Sequence, residues 1–215
     1  MKQTQGEKSE RSRNGILEAA LNLFSHQGYR GTSIREIAEA AGLSTGNVYH
    51  HFPDKEALFR TLLDQYWAAI DQPDFPFNKA LAAGAFPDDL NALAKAAEES
   101  VRDYRRHVAL IYVDVVEFDG THIRKFYSGM SNRFATFLNA RFPGDSLKDR
   151  LAPGTDPTLA LMLVSRIFLQ YFAVEMLFGV PDQLGHETPL AIREISEILR
   201  RGLFNSGAEK GEKGV

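Results

Sequence analysis

The chain has no cysteine among its 215 residues. Disulfide bridges, thiolate metal centres and thiol redox sensing are therefore excluded. A glycine-rich phosphate loop, an HExxH zinc motif and an evident nucleophile–base pattern are missing as well, so the reading is not an enzyme and no cofactor is expected. The polar N-terminus lacks the apolar core of a secretory signal. No apolar run is clean enough for a membrane span. The longest, residues 159–180, carries Arg166, Gln170 and Glu175. Arg166 and Glu175 are nine residues apart and project from opposite sides of a helix, so a span would bury both charges. A packed core or interface helix fits better, and a cytoplasmic protein is expected. A surplus of positive charge is missing too, because the net charge is −3. The first 60 residues hold eight Lys or Arg against seven Asp or Glu, which leaves that end at +1 and the remainder at −4.

What is present is concentrated in residues 28–56. Ser33-Ile-Arg-Glu36 has the S-x-x-E form of a capping box, and Thr32 is a second capping residue. Ile34, Ile37, Ala38 and Ala41 follow at i, i+3, i+4 and i+7 on one face of a short helix. Gly42 comes next, where a left-handed residue reverses the chain without a steric penalty. Leu43 plugs the turn. Ser44 then caps a second short helix whose outer face is Thr45, Gly46, Asn47, Tyr49 and His50, with Val48 and Phe52 as inward anchors. Two short helices around a glycine turn are the sequence form of a helix-turn-helix. The second helix is the one that would enter a major groove. Thr45 and Asn47 offer hydrogen bonds, and Gly46 permits close approach. Tyr49, His50, His51 and Lys55 supply donors where phosphates would lie. His50 and His51 are adjacent, point about 100° apart on a helix and have no second ligand set nearby, so a metal site is not expected.

The run from Thr32 to Lys55 resembles the TetR family of transcriptional regulators, named for the tetracycline repressor. The resemblance rests on the threonine entry, Ile37-Ala38, the Gly42 turn, the Ser44-x-Gly46-x-x-Tyr49 helix, the His51-Phe52 end and Lys55. It covers roughly residues 10–60. It implies an all-α homodimer that binds a double-stranded DNA operator and releases it when a small effector enters the C-terminal domain. By position, Thr32, Ser44, Tyr49, His51 and Lys55 match family phosphate contacts. Thr45, Gly46 and His50 match positions near bases or adjacent backbone. Relatives often carry lysine where this chain has Thr45, so their base preference does not transfer. Together with Ser33 and Asn47, these residues make the candidate DNA-binding set.

The expected architecture is an N-terminal three-helix DNA-binding domain over residues 10–60 and a larger helical ligand-binding and dimerisation domain over 61–205, with disordered tails at 1–9 and 206–215. Ile16, Leu17, Ala20, Leu23 and Phe24 form the stripe of the first helix, and Gly28 ends it. Lys2, Lys8, Arg11 and Arg13 lie ahead of that stripe, as a phosphate-tracking arm or a solvated tail. Asp54 caps a longer helix that carries Ala57, Leu58, Leu62, Tyr66 and Ile70. Residues 71–87 hold three prolines and read as a loop. Helices are expected over 88–104, 121–142, 158–178 and 189–204, the last opened by Thr188-Pro189, with a loop over 143–157. Residues 107–118 are rich in valine, which favours a strand, yet no partner strand follows; the resemblance tips them to helix.

Two further sites are expected in the second domain. Trp67, Tyr104, His107, Tyr112, Tyr127, Met130, Phe134, Phe168 and Phe172 would line a pocket for an apolar or aromatic effector, although aromatics more often fill cores. Leu163, Ile167, Tyr171, Ile192, Ile195 and Leu199 would form a dimer contact between the last two helices of each subunit, with internal core as the alternative. The function expected is a repressor released from a palindromic operator by such an effector. A DNA-binding protein controlled by a protein partner is the alternative, and a helical enzyme or binding module without a DNA role is the third reading.

Overall fold

The computed structural model describes residues 4–144 and 146–204. In chain order its α-helices are α1 (Gln5–Gln27), α2 (Ile34–Ala40), α3 (Thr45–His51), α4 (Lys55–Ile70), α5 (Pro76–Ala82), α6 (Ala85–Asp88), α7 (Leu90–Asp103), α8 (Arg105–Glu117), α9 (Ile123–Arg141), α10 (Pro157–Leu177) and α11 (Thr188–Leu203). Among the described residues there is no strand, only an isolated bridge between Leu151 and Phe204. The fold is all-α.

The chain divides into two compact units. Of the described residues, those up to Asp71 with Tyr104–Phe126 form the first, and Gln72–Asp103 with those from Tyr127 onward form the second. In the first unit, α1 buries Ile16, Leu17, Ala20, Leu21 and Phe24. Leu21 takes the inward place expected of Leu23, which is only partly buried. Around that stripe gather Ile37 and Ala38 of α2, Val48 of α3, Leu58, Phe59, Leu62 and Leu63 of α4, and Leu110 of α8. The valine-rich stretch is therefore helical. Its β-favouring side chains are overruled by packing, since α8 turns Leu110 into this core while Val115 and Val116 stay exposed.

The α8–α9 turn is fixed by Asp114, which is fully buried. Its carboxylate accepts from His122 Nδ1 at 2.6 Å and from the Ile123 backbone N–H at 3.0 Å.

Three expectations about element limits change. Residues 4–9, expected in a tail, belong to the start of α1. Thr4 Oγ1 accepts from the Glu7 N–H, and the Glu7 carboxylate accepts from the Thr4 N–H, a second capping box. The expected loop at 71–87 contains α5 and α6. Pro76 stands in the first turn of α5, where its missing N–H costs nothing, so this proline opens a helix instead of breaking one. Thr188 is not the cap of α11; Glu187 holds that place without a side-chain bond. The Thr188 hydroxyl donates to Glu175 Oε2 at 2.7 Å instead. The expected C-terminal tail at 206–215 lies outside the described residues.

In the second unit, α7 buries Leu90, Leu93, Ala94, Ala97 and Val101, the stripe its spacing predicts. It packs against α5, α10 and α11. From α10 come Ala160, Leu161, Val164, Phe168 and Phe172. Among the described residues α10 is the one helix long and apolar enough to cross a membrane. Its buried face belongs to this core, and Arg166 and Gln170 stand exposed on the other side.

Candidate nucleic-acid interface

The helix-turn-helix is assembled from local signals. Ser33 and Glu36 complete a reciprocal capping box: the Glu36 N–H donates to Ser33 Oγ at 3.2 Å, and the Ser33 N–H donates to Glu36 Oε2 at 2.8 Å. The Ser33 hydroxyl also donates to Glu36 Oε2 at 2.7 Å, and that bond first, then the one from the Ser33 N–H, holds the Glu36 carboxyl below its ordinary pKa. Gly42 adopts φ +67°. The Leu43 N–H reaches back to the Ala38 carbonyl at 2.9 Å and closes the turn. Ser44 then caps α3 by accepting from the Asn47 N–H at 3.2 Å.

Burial sets the direction of α3. Val48 and Phe52 are buried against the core. Thr45, Gly46, Tyr49 and His50 are exposed. His51 is half-buried, and burial, then the neighbouring His50 and Arg13, push its imidazole pKa down. The Arg13 guanidinium lies 5.4 Å above the Phe52 ring, at the end of α3. Asn47 is only partly outward; its Oδ1 is enclosed and has no hydrogen-bond partner.

Two members of the expected set are engaged internally. Thr32 is buried, and its hydroxyl donates to the Gly28 carbonyl at 2.7 Å. Lys55 Nζ donates to the carbonyls of Tyr29 and Thr32 at 2.8 and 2.7 Å and lies 4.1 Å over the Tyr29 ring. Desolvation pushes its pKa down, although the carboxylates of Glu117 and Glu36 oppose that shift. A concavity of about 630 Å³ is bordered by Arg30, Ser33, Arg35, Thr45, Tyr49 and Lys55, among others. Arg30 and Arg35 are exposed basic groups that the motif reading left out. Their signal in the sequence was their placement on either side of the Thr32-Ser33 entry.

The expected pocket residues fall into both units. In the first, Tyr66, Trp67, Tyr104, His107 and Phe126 pack on one another: Trp67 stacks on Phe126 with centroids 4.0 Å apart, and His107 stacks on Tyr66 at 5.5 Å. Tyr112 is half-buried. Burial, reinforced by the Arg106 charge, lowers the His107 pKa to about 4. In the second unit, Phe168 and Phe172 are core, Met130 and Phe134 are half-buried, and Tyr127 is exposed with Arg166 5.9 Å from its ring centroid. A concavity of about 390 Å³ there is lined by Asn91, Lys95, Glu98, Thr188 and Arg193 among others, and of the expected residues only Phe172 reaches it. Of the expected dimer residues, Leu163 is exposed, Ile167, Ile192 and Ile195 are half-buried, and Tyr171 and Leu199 are buried.

Residues 16–62 match the family described as bacterial regulatory proteins, tetR family. The repressor AcnR of Corynebacterium efficiens is 47% identical over 57 residues, 26% of this chain and 30% of that protein. The repressor KstR2 of Rhodococcus jostii is 32% identical over 106 residues, 49% of this chain and 50% of that protein. The chain thus spans about a third to a half of the length of these curated relatives. Among solved structures, NalD of Pseudomonas aeruginosa, the secondary repressor of the MexAB-OprM multidrug efflux pump, aligns with a TM-score of 0.62 and 26% identity, over 93% of this chain and 99% of that one. The helix-turn-helix region of this chain is thus similar to the tetR family of bacterial regulatory proteins, and its all-helical fold resembles that of NalD along nearly its whole length.

Proposed function

We propose that the protein is a DNA-binding transcriptional regulator, not an enzyme, and that it acts in the cytoplasm as a repressor. The observation that carries this reading is the division of α3 into a buried edge, Val48 with Phe52 behind it, and an exposed edge of Thr45, Gly46, Tyr49 and His50. A helix anchored in this way presents its N-terminal residues to a major groove. Thr45 and Gly46 face base edges, while Tyr49, His50 and the flanking Arg30 and Arg35 meet phosphates. Ser33, Ser44, Thr32, Asn47 and Lys55 then serve mainly to fix the frame. His51 stands at its edge.

Two further parts of the reading draw on the family. The protein acts as a homodimer on a palindromic operator, because two-fold readers need half-sites about 34–36 Å apart. Exposed Leu159, Leu163 and Ile198 on α10 and α11 are apolar groups that a second copy would cover. A small apolar or aromatic effector lowers operator affinity by binding the DNA-incompetent state better. The aromatic cluster around Trp67 and His107 supports that class of guest. The test is to recover the genomic fragments bound by the full-length protein and to repeat the titration with Tyr49→Phe and Thr45→Ala. Fragments bound with equal affinity by wild type and both variants would count against α3 as the reader. Thermal-shift screening with small apolar molecules tests the effector; no compound raising the melting temperature would favour control by a protein partner.

A further inference from the structure

The turn that enters the helix-turn-helix is gripped from two sides. From one side Lys55 donates to the carbonyls of Tyr29 and Thr32. From the other comes a carboxylate distant in sequence. Glu117, at the C-terminal end of α8, accepts from the backbone N–H of Tyr29 at 2.9 Å and of Arg30 at 2.6 Å. Both oxygens are used, one for each amide. The carboxylate is well shielded, with a side-chain exposure of 14% against 80% for Arg30, whose Nε lies 3.9 Å away.

Gly28 fits this contact in two respects. Its φ is +77°, which disfavours an L side chain. A Cβ built there would also come within 2.6 Å of Glu117 Oε1. The carboxylate therefore reaches the two amides only because residue 28 has no side chain. Phe118, next in the chain, packs on Tyr29 with ring centroids 4.6 Å apart and stacks on Phe59 at 5.1 Å. The buried Asp114 one turn earlier ties down the other end of the same bend.

We propose that Glu117 is a positioning residue for DNA recognition: its carboxylate sets the Tyr29–Thr32 turn, and through it the placement of α2 and the Lys55 ammonium, in the geometry that DNA requires. The helix-turn-helix is therefore completed by a group more than 50 residues beyond its end in sequence, and any event that draws the end of α8 away withdraws that group. Charge-assisted bonds from a carboxylate to backbone N–H are among the stronger hydrogen bonds, so the grip is firm while α8 stays in place. This proposal rests on the DNA-binding reading above.

The experiment uses the full chain with Glu117→Gln, Glu117→Ala and Gly28→Ala. Fluorescence anisotropy measures affinity for a fragment selected by the wild type, amide hydrogen exchange reads Tyr29 and Arg30 individually, and a urea titration reads global stability. Glu117→Ala is expected to weaken binding at least tenfold. Glu117→Gln keeps the shape and one acceptor oxygen, and is expected to weaken it roughly threefold. In both, exchange at Tyr29 and Arg30 accelerates while that of Leu17 and Phe24 holds. Should Glu117→Ala or Gly28→Ala fail to fold, Glu117→Gln decides alone. Unchanged affinity in Glu117→Gln and Glu117→Ala, or a loss matched by faster exchange throughout the unit and a lower urea midpoint, overturns the proposal. A wild-type chain that selects no fragment overturns the DNA-binding reading itself, a result the variants cannot produce.

Discussion

The helix-turn-helix and the α7–α10–α11 assembly are both helical, yet they are held by different kinds of interaction. Between residues 28 and 55 each helix start has its own cap, the turn has its own glycine, and the buried edge of α3 is just Val48 with Phe52 behind it. Around α7, by contrast, order comes from side chains that meet across long sequence distances, such as the Ser196 hydroxyl and Asn91 Oδ1 at 3.1 Å. Apart from the grip of Glu117 on its entry turn, the first region is specified by neighbours along the chain, and the second by partners from elsewhere. A short unit with a thin core needs such local definition, because seven residues of helix are too few to persist alone.

The comparison breaks most readily at its two cores. Phe168→Ala empties a fully buried site on α10 and is expected to cost about 3–5 kcal/mol, read from the urea midpoint. Val48→Asp places an uncompensated carboxylate in the thin core behind α3. It is expected to abolish DNA binding, read by anisotropy, and to remove the protection of α3 amides from exchange. If Val48→Asp left DNA binding intact, the division of α3 into a buried and a reading edge would be mistaken.

Acid offers a second contrast. His107 is neutral in the folded chain with a pKa lowered to about 4. A depressed histidine adds stability in full above its unfolded value of about 6.5, and that stability is lost as pH falls from about 6.5 towards 4. The loss is expected to reach roughly 3 kcal/mol at the acid end, and His107→Phe should flatten it. Urea midpoints at pH 7.5 and pH 5 measure both. An identical pH slope in wild type and variant would remove His107 from the account.

The local signals of the first region predict smaller effects. Gly42→Ala forces a side chain into φ +67° and is expected to cost about 1–2 kcal/mol. Ser44→Ala removes the cap of α3 for about 1 kcal/mol. At the low end, Arg35→Ala is expected to reduce the slope of log affinity against log salt by about one, without altering which sequence is preferred. A changed preference would move Arg35 from phosphate to base.

This division also explains what could be read from the sequence. Ser33, Glu36, Gly42, Ser44, Val48 and Phe52 act within a few residues of themselves, so spacing alone located them. The stripe of α7 was legible for the same reason, since its apolar positions repeat at helical intervals. Residues 105–117 were not, because their valines favour extended backbone and only the tertiary placement of Leu110 overrules that. Pro76 looked like a breaker because its role depends on being the first residue of α5. Thr32 and Lys55 illustrate the limit at the site itself. Their types and positions suit phosphate contact, but whether a hydroxyl or ammonium faces outward depends on which carbonyls the fold brings near. Glu117 was invisible for the same reason, since no spacing rule links it to Tyr29.

The central claim is that the exposed edge of α3 reads DNA. It is tested most directly by an anisotropy titration of Thr45→Ala/Tyr49→Phe/His50→Ala, which leaves Val48 and Phe52 untouched, against a fragment selected by the wild type and a scrambled duplex at one salt concentration. The account predicts that the triple variant keeps its urea midpoint, loses at least tenfold in affinity for the selected fragment and loses less for the scrambled duplex, where only the phosphate contacts of Tyr49 and His50 are missing. Wild-type preference for the selected fragment in that variant would contradict it.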